Sequence, residues 1–124
     1  MSADRLFLLL GSLSGFTGVV LGAFAAHGLR GRLSDEMLNV FEVGVRYQIY
    51  HALALLMVAL AFSRWPRGEF SVAGWFFVFG TVVFSGSLYI LSLSGVRWLG
   101  AITPIGGLAF LLGWLSIAWG AWRG

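Results

Sequence analysis

The ionisable and hydrogen-bonding side chains of this chain are few, and the densest run of them is Phe41-Glu42-Val43-Gly44-Val45-Arg46-Tyr47-Gln48-Ile49-Tyr50-His51-Ala52. On a helix, Glu42, Arg46 and Tyr50 recur four residues apart and form one stripe, with Tyr47 and His51 on a second stripe beside it. Glu42 four residues before Arg46 is the favourable order for an intrahelical ion pair. The chemistry open to such a set is recognition: Arg46 can hold an anionic headgroup while Tyr47, Tyr50 and His51 frame it. A purely structural reading has Glu42 and Arg46 neutralising each other while the tyrosines mark a membrane interface.

His27 and His51 are the only histidines. If the helices that carry them pack antiparallel, both reach one membrane face. With Glu42 they would then form a two-histidine, one-carboxylate set of the kind that binds transition metals. No HxxxH or ExxH pair supports that set, so no metal is expected. With no cysteine in the chain, thiol redox chemistry and cysteine nucleophiles are excluded. No serine stands in a recognisable nucleophile elbow either. Proton and ion carriers place carboxylates near mid-membrane, yet the first, third and fourth hydrophobic runs contain no acidic residue. The chain is therefore expected not to be an enzyme and to carry no cofactor.

These side chains must be held by elements suited to lipid rather than water. Of 124 residues, 59% are hydrophobic and only 10% charged, and the mean hydropathy is +0.89. A soluble domain carries about 25% charged residues, so there is too little polar surface here to coat a water-soluble globule. The net charge of +3 comes from arginines alone among the basic residues. They stand singly beside apolar runs, with no cluster that could track a phosphate backbone, so no nucleic-acid partner is expected.

A helix needs roughly 20 apolar residues to cross a bilayer. Four runs meet that need, over about 6–26, 47–62, 70–93 and 99–122. The start of the first resembles a signal peptide, with Ala23-Phe24-Ala25 like a cleavage site. Its glycines recur at helical spacing, however, and it is read as a retained helix. Between the first two spans, Ser34 reads as an N-cap with Asp35 and Glu36 in the first turn, and Leu33 and Leu38 sit at staple positions. The apolar stripe Met37, Leu38, Phe41 and Val45 predicts a short interfacial helix that turns inward near Gly44. Thr103-Pro104 fits either a helix start or a kink within a longer helix. The fold class is all-α: a four-helix transmembrane bundle in one domain, with that short interfacial helix between helices 1 and 2. Arginines divide equally between the two sides, so the positive-inside rule decides orientation only weakly, toward cytoplasmic termini.

Lipid gives helices no hydrophobic drive toward one another, so close backbone approach must supply the attraction. Gly11, Gly15, Gly18, Gly22 and Ala25 step by four and three along the first span, and Gly106, Ala109, Gly113, Ser116 and Gly120 do so along the fourth. Thr81, Ser85 and Ser92 give the third a hydroxyl face. Packing within the bundle explains such faces, and two of them plus a polar third also lead us to expect a homo-oligomer.

Four segments together carry a family resemblance: Gly22-Ala23-Phe24-Ala25-Ala26-His27-Gly28-Leu29, the run from Phe41 through His51 to Leu53, Gly86-Ser87-Leu88-Tyr89, and Thr103-Pro104-Ile105-Gly106-Gly107. In that order, over nearly the whole chain, they resemble the YgdD/YwdK-like family of small membrane proteins, domain-of-unknown-function family 423, which is related to a mitochondrial membrane protein of vertebrates. Ala25 departs from the pattern, where glycine is more usual. The resemblance implies four helices in the bacterial cytoplasmic (inner) membrane, multi-pass, and adds weight to His27, Glu42, Arg46, Tyr47, Tyr50, His51 and Pro104 without assigning a mechanism. The functional expectation is a non-enzymatic accessory or scaffold protein that binds a lipid or membrane partner at the polar cluster on one membrane face. A small oligomeric transporter or channel is the alternative.

Overall fold

The computed structural model describes residues 1–124, and all its elements are helical. Helix α1, Ala3–Phe24, continues through a wider π turn at Ala25–Leu29. Helix α2 runs Asp35–Arg64. Helix α3, Gly68–Gly80, passes through a second π turn, Thr81–Ser85, into α4, Gly86–Ser94, and the three pieces form one membrane-length rod. A 3-10 turn at Arg97–Ala101 leads into α5, Thr103–Trp122. Four segments are thus long and apolar enough to span a bilayer: Ala3–Leu29, Asp35–Arg64, Gly68–Ser94 and Arg97–Trp122.

Local chemistry sets the ends of these rods. Ser34 caps α2, its hydroxyl oxygen accepting the Met37 N–H at 3.2 Å. Gly95, at φ +75°, closes α4 in the left-handed conformation that glycine tolerates without a Cβ clash. Pro104 sits in the first turn of α5, where its missing N–H leaves no bond unmade. Thr103-Pro104 is therefore a start and not a kink.

The separate interfacial helix expected before the second span is absent, because α2 is unbroken from Asp35. The helix that carries the second span accordingly begins twelve residues before Tyr47. A lone interior glycine costs only about 1 kcal/mol relative to alanine, too little to end a helix packed on both sides of it. Gly44 serves contact instead of turning: a Cβ there would lie 2.8 Å from Cε1 of Tyr89.

The two small-residue rows dock their helices in pairs. On α1, a Cβ at Gly11 would meet the Ala52 carbonyl and Leu55 at 3.0 Å, one at Gly18 would meet Ile49 at 2.9 Å, and one at Gly22 would meet Val45 at 3.3 Å. This row seats α1 along α2. On α5, Gly106 lies against the Phe84 backbone, Gly113 against the Phe77 ring and Gly120 against Glu69 and Phe70, seating α5 on the third rod. Both rows are used inside the bundle, so neither is left over to argue for subunit contact. The core between the pairs holds Phe7, Leu55, Val58, Phe77 and Phe110. The outside is apolar: Phe16, Leu60, Val82 and Leu115 are 65–70% exposed, as hydrocarbon requires and water would not allow. Ion pairs join helix ends, Glu36 with Arg97 at 3.2 Å and Glu69 with Arg123.

Candidate functional site

The structure keeps Tyr47, Tyr50 and His51 together, with the Tyr47 ring 5.6 Å from Tyr50 and stacked on His51 at 6.3 Å, and does not gather His27, Glu42 and Arg46 around them. Arg46, Tyr47 and Tyr50 lie on the exposed face of α2, Glu42 is half-buried, and His27 is exposed in the first π turn. The Glu42 and Arg46 side chains form no ion pair; the paired carboxylates are those of Glu36 and Glu69. His27, His51 and Glu42 do not converge, and no three histidine, aspartate or glutamate side chains are grouped as a metal would need.

His51 turns inward. It is 4% exposed and its ring stacks on Phe110 at 3.6 Å, nearly parallel. Nδ1 lies 2.7 Å from the Tyr47 carbonyl oxygen, and the Trp114 indole N–H donates to Nε2 at 3.1 Å. A carbonyl can only accept and an indole N–H can only donate. The two partners together therefore select one species, the neutral imidazole protonated on Nδ1. With both nitrogens used, His51 works as a polar wedge between α2 and α5, inside an aromatic layer shared with Phe77, Phe84 and Phe110.

The polar centre of the bundle is Gln48, which lies thirteen residues after Asp35 and sixteen before Arg64. At 1.5 Å per residue it stands within about 3 Å of the α2 midpoint. It is 6% exposed. Its amide nitrogen donates to the Ser14 carbonyl at 2.9 Å and to the Thr17 hydroxyl at 2.8 Å, both on α1. Its carbonyl oxygen accepts the Tyr89 hydroxyl of α4 at 2.6 Å. One amide thus ties three helices at mid-depth. Next to it, Ser85 in the second π turn donates to the Gly44 carbonyl at 2.7 Å.

This network borders a cleft of about 460 Å³ between α1 and the third rod, floored by α2. The volume lies within the roughly 300–1,000 Å³ typical of small-molecule sites. Leu10, Leu13, Leu55, Val78 and Val82 supply apolar walls, and Ser14, Thr17, Gln48, Thr81 and Tyr89 supply the polar atoms. No charged side chain lines it. Two of its hydroxyls, Ser14 Oγ on one wall and Thr81 Oγ1 on the other, are buried without any hydrogen-bond partner. Thr81 opens the second π turn, and such local widenings of a helix recur at functional sites. One turn before Leu10, Phe7 packs edge-on against Trp75 at 5.4 Å and into the space left by Gly74, joining α1 to α3. The Tyr89 ring itself is backed by Phe41 at 4.9 Å.

Sequence reasoning did not single out Gln48, Ser14 or Thr17. The available signal was pairing: an amide and two hydroxyls on neighbouring spans must find partners in hydrocarbon, but a second span read as 47–62 sets Gln48 at its edge and hides its depth.

Comparison with known proteins agrees with this architecture. A family model described as "Protein of unknown function (DUF423)" matches residues 21–107. The chain is 48% identical to the UPF0382 membrane protein YwdK of Bacillus subtilis, over 91% of this chain and 93% of that one. It is 50% identical to UPF0382 membrane protein SERP0230 of Staphylococcus epidermidis, over 91% and 92%, and 43% identical to a UPF0382 membrane protein of Haemophilus influenzae, over 94% of each. No solved structure matches the chain.

Proposed function

The chain belongs to the DUF423 family of multi-pass membrane proteins, and from that premise we propose that it is a non-enzymatic accessory protein holding a lipid-phase molecule in the cleft beside Gln48. One observation carries the reading. A polar network at mid-depth, Ser14–Thr17–Gln48–Tyr89, borders a cavity of about 460 Å³ instead of closing in a packed core. Polar groups within hydrocarbon normally pair with one another or line a cavity, and here they do both. The non-enzymatic part rests on the scattering of ionisable groups: the one buried histidine has both nitrogens engaged by Tyr47 and Trp114, and no nucleophile stands beside it.

Native mass spectrometry of the detergent-purified chain tests this. Gly86 lines the cleft, and a Cβ added there meets nothing within 4 Å, so the side chain of Gly86→Leu starts from open space and takes up room an occupant needs. A small lipid adduct on the wild type that is lost in Gly86→Leu is the expected outcome. Adducts equal in the two proteins would overturn the proposal.

Arg46 favours a second reading, in which the exposed Arg46–Tyr50 face holds an anionic phospholipid. The 30-residue α2 is about 45 Å long against about 30 Å of hydrocarbon. Arg46 stands about 5 Å from the α2 midpoint along its axis, and its long stem can carry the guanidinium toward the headgroups. Unchanged anionic-lipid co-purification after Arg46→Ala counts against it.

A further inference from the structure

The walls of the cleft also restrict the chemistry of what it can hold. We propose that its occupant is an uncharged amphiphile, an isoprenoid or acyl alcohol or ketone, whose single oxygen is taken up by the Ser14 and Thr81 hydroxyls once these side chains turn into the cleft. This deepens the cleft reading given above and rests on it.

The first argument is charge. No side chain lining the cleft is ionisable at neutral pH, and the site lies beside the midpoint of α2. A phosphate, carboxylate or ammonium brought there would meet no counter-charge at the depth where burying an ion is most costly. A phospholipid head is thereby excluded. The second is hydrogen-bonding capacity. Gln48 spends both N–H groups on α1 and accepts the Tyr89 hydroxyl, so it holds the walls in place. The hydroxyls without a partner are Ser14 Oγ and Thr81 Oγ1, both closed off from the cleft as the side chains stand, so a rotation about χ1 must turn each toward an occupant. Hydroxyls on opposite walls can both donate to one carbonyl, or one can donate to and one accept from an alcohol. The third is size and lining. Taking about 30 Å³ for a water-sized group, the space holds about fifteen such groups. That accommodates a small head and the first part of an apolar tail, which then lies along Leu10, Leu13, Val78 and Val82. Fourth, these walls face the bilayer interior, since Leu13 and Val82 are 53% and 67% exposed, so a lipid-dissolved molecule reaches the cleft from the side.

Photolabelling of the full chain in phosphatidylcholine nanodiscs decides the matter. The probes are a diazirine-bearing hexadecanol and the same chain ending in a sulfonate, which stays charged at all working pH values. The reference is labelling of the lipid-facing peptide around Leu60. We expect the alcohol to label the Leu10–Thr17 and Val78–Gly86 peptides at least tenfold more than the sulfonate does. Ser14→Ala and Thr81→Val should each lower alcohol labelling about fivefold, the worth of one neutral hydrogen bond. Neither hydroxyl has a protein partner to lose. Alcohol labelling insensitive to both substitutions would overturn the placement of the oxygen. Equal labelling by the two probes, both suppressed by Gly86→Leu, would overturn the uncharged class while leaving the cleft as a ligand site. Labelling that neither Gly86→Leu nor excess unlabelled hexadecanol suppresses would overturn the cleft reading itself. The competition arm needs no folded variant.

Discussion

Replacing Gln48 by leucine keeps the side chain's approximate volume and deletes three hydrogen bonds, two to α1 and one from α4. Side-chain hydrogen bonds between membrane helices average about 0.6 kcal/mol, with a ceiling near 1.7. Three of them make Gln48→Leu destabilising by about 2 kcal/mol. Thr17 keeps its bond to the Leu13 carbonyl, which limits the loss on that side, and the Tyr89 hydroxyl retains only the neighbouring Ser85 hydroxyl. Reversible unfolding in mixed detergent micelles measures the total, and a double-mutant cycle with Tyr89→Phe isolates one bond. The 2.6 Å contact predicts a coupling of about 0.6–1.7 kcal/mol. Effects that add to within about 0.3 kcal/mol, or a Gln48→Leu protein as stable as the wild type, would refute the idea that this amide ties the helices together.

The two glycines facing Phe84 and the cleft should respond oppositely to alanine. Gly106→Ala forces a Cβ onto the Phe84 backbone and should cost about 1–3 kcal/mol, while Gly86→Ala meets open space and should gain up to about 1 kcal/mol from helix propensity; unfolding midpoints in micelles give both signs. Trp114→Phe keeps the ring and removes the donor to His51 Nε2, for an expected loss of about 0.6–1.7 kcal/mol and altered imidazole nitrogen shifts in NMR. Ser34→Ala removes the α2 cap and should cost about 1 kcal/mol, with faster amide exchange confined to Asp35–Leu38. Breaking the exposed Glu36–Arg97 pair with Glu36→Gln should change stability by less than about 1 kcal/mol, and less still at high salt.

Hydropathy alone makes the four spans readable, because hydrocarbon tolerates only long runs of apolar residues. The Ser34 cap is equally readable, since N-capping depends on neighbours within one turn. The glycine rows announce close packing, but which helix each row meets is a tertiary fact, and the bundle uses both rows internally. The polar residues around Arg46 suggest an entry point at the membrane surface, which makes Gly44 look like a bend; α2 instead runs through, with Tyr89 occupying the notch. Sequence spacing puts His51 near one face with His27, whereas rotation about α2 sends it into the aromatic layer with Trp114. Gln48 is inconspicuous because a single amide among aromatic residues has no motif. Its meaning comes from Ser14, Thr17 and Tyr89, which lie 31 to 41 residues away along the chain.

Helix α1 is seated on α2 along its glycine row and meets the third rod through Phe7 at one end. It is a panel fastened along one edge. Its other edge stands open to lipid beside Leu13 and Val82, so an occupant leaves sideways without the fastened edge giving way, and its dwell time is governed by the grip of the cleft walls. Changes at Gly11 or Gly18, which adjoin the lining residues Leu10 and Thr17, should then shift the wall itself and alter occupancy as well as exchange.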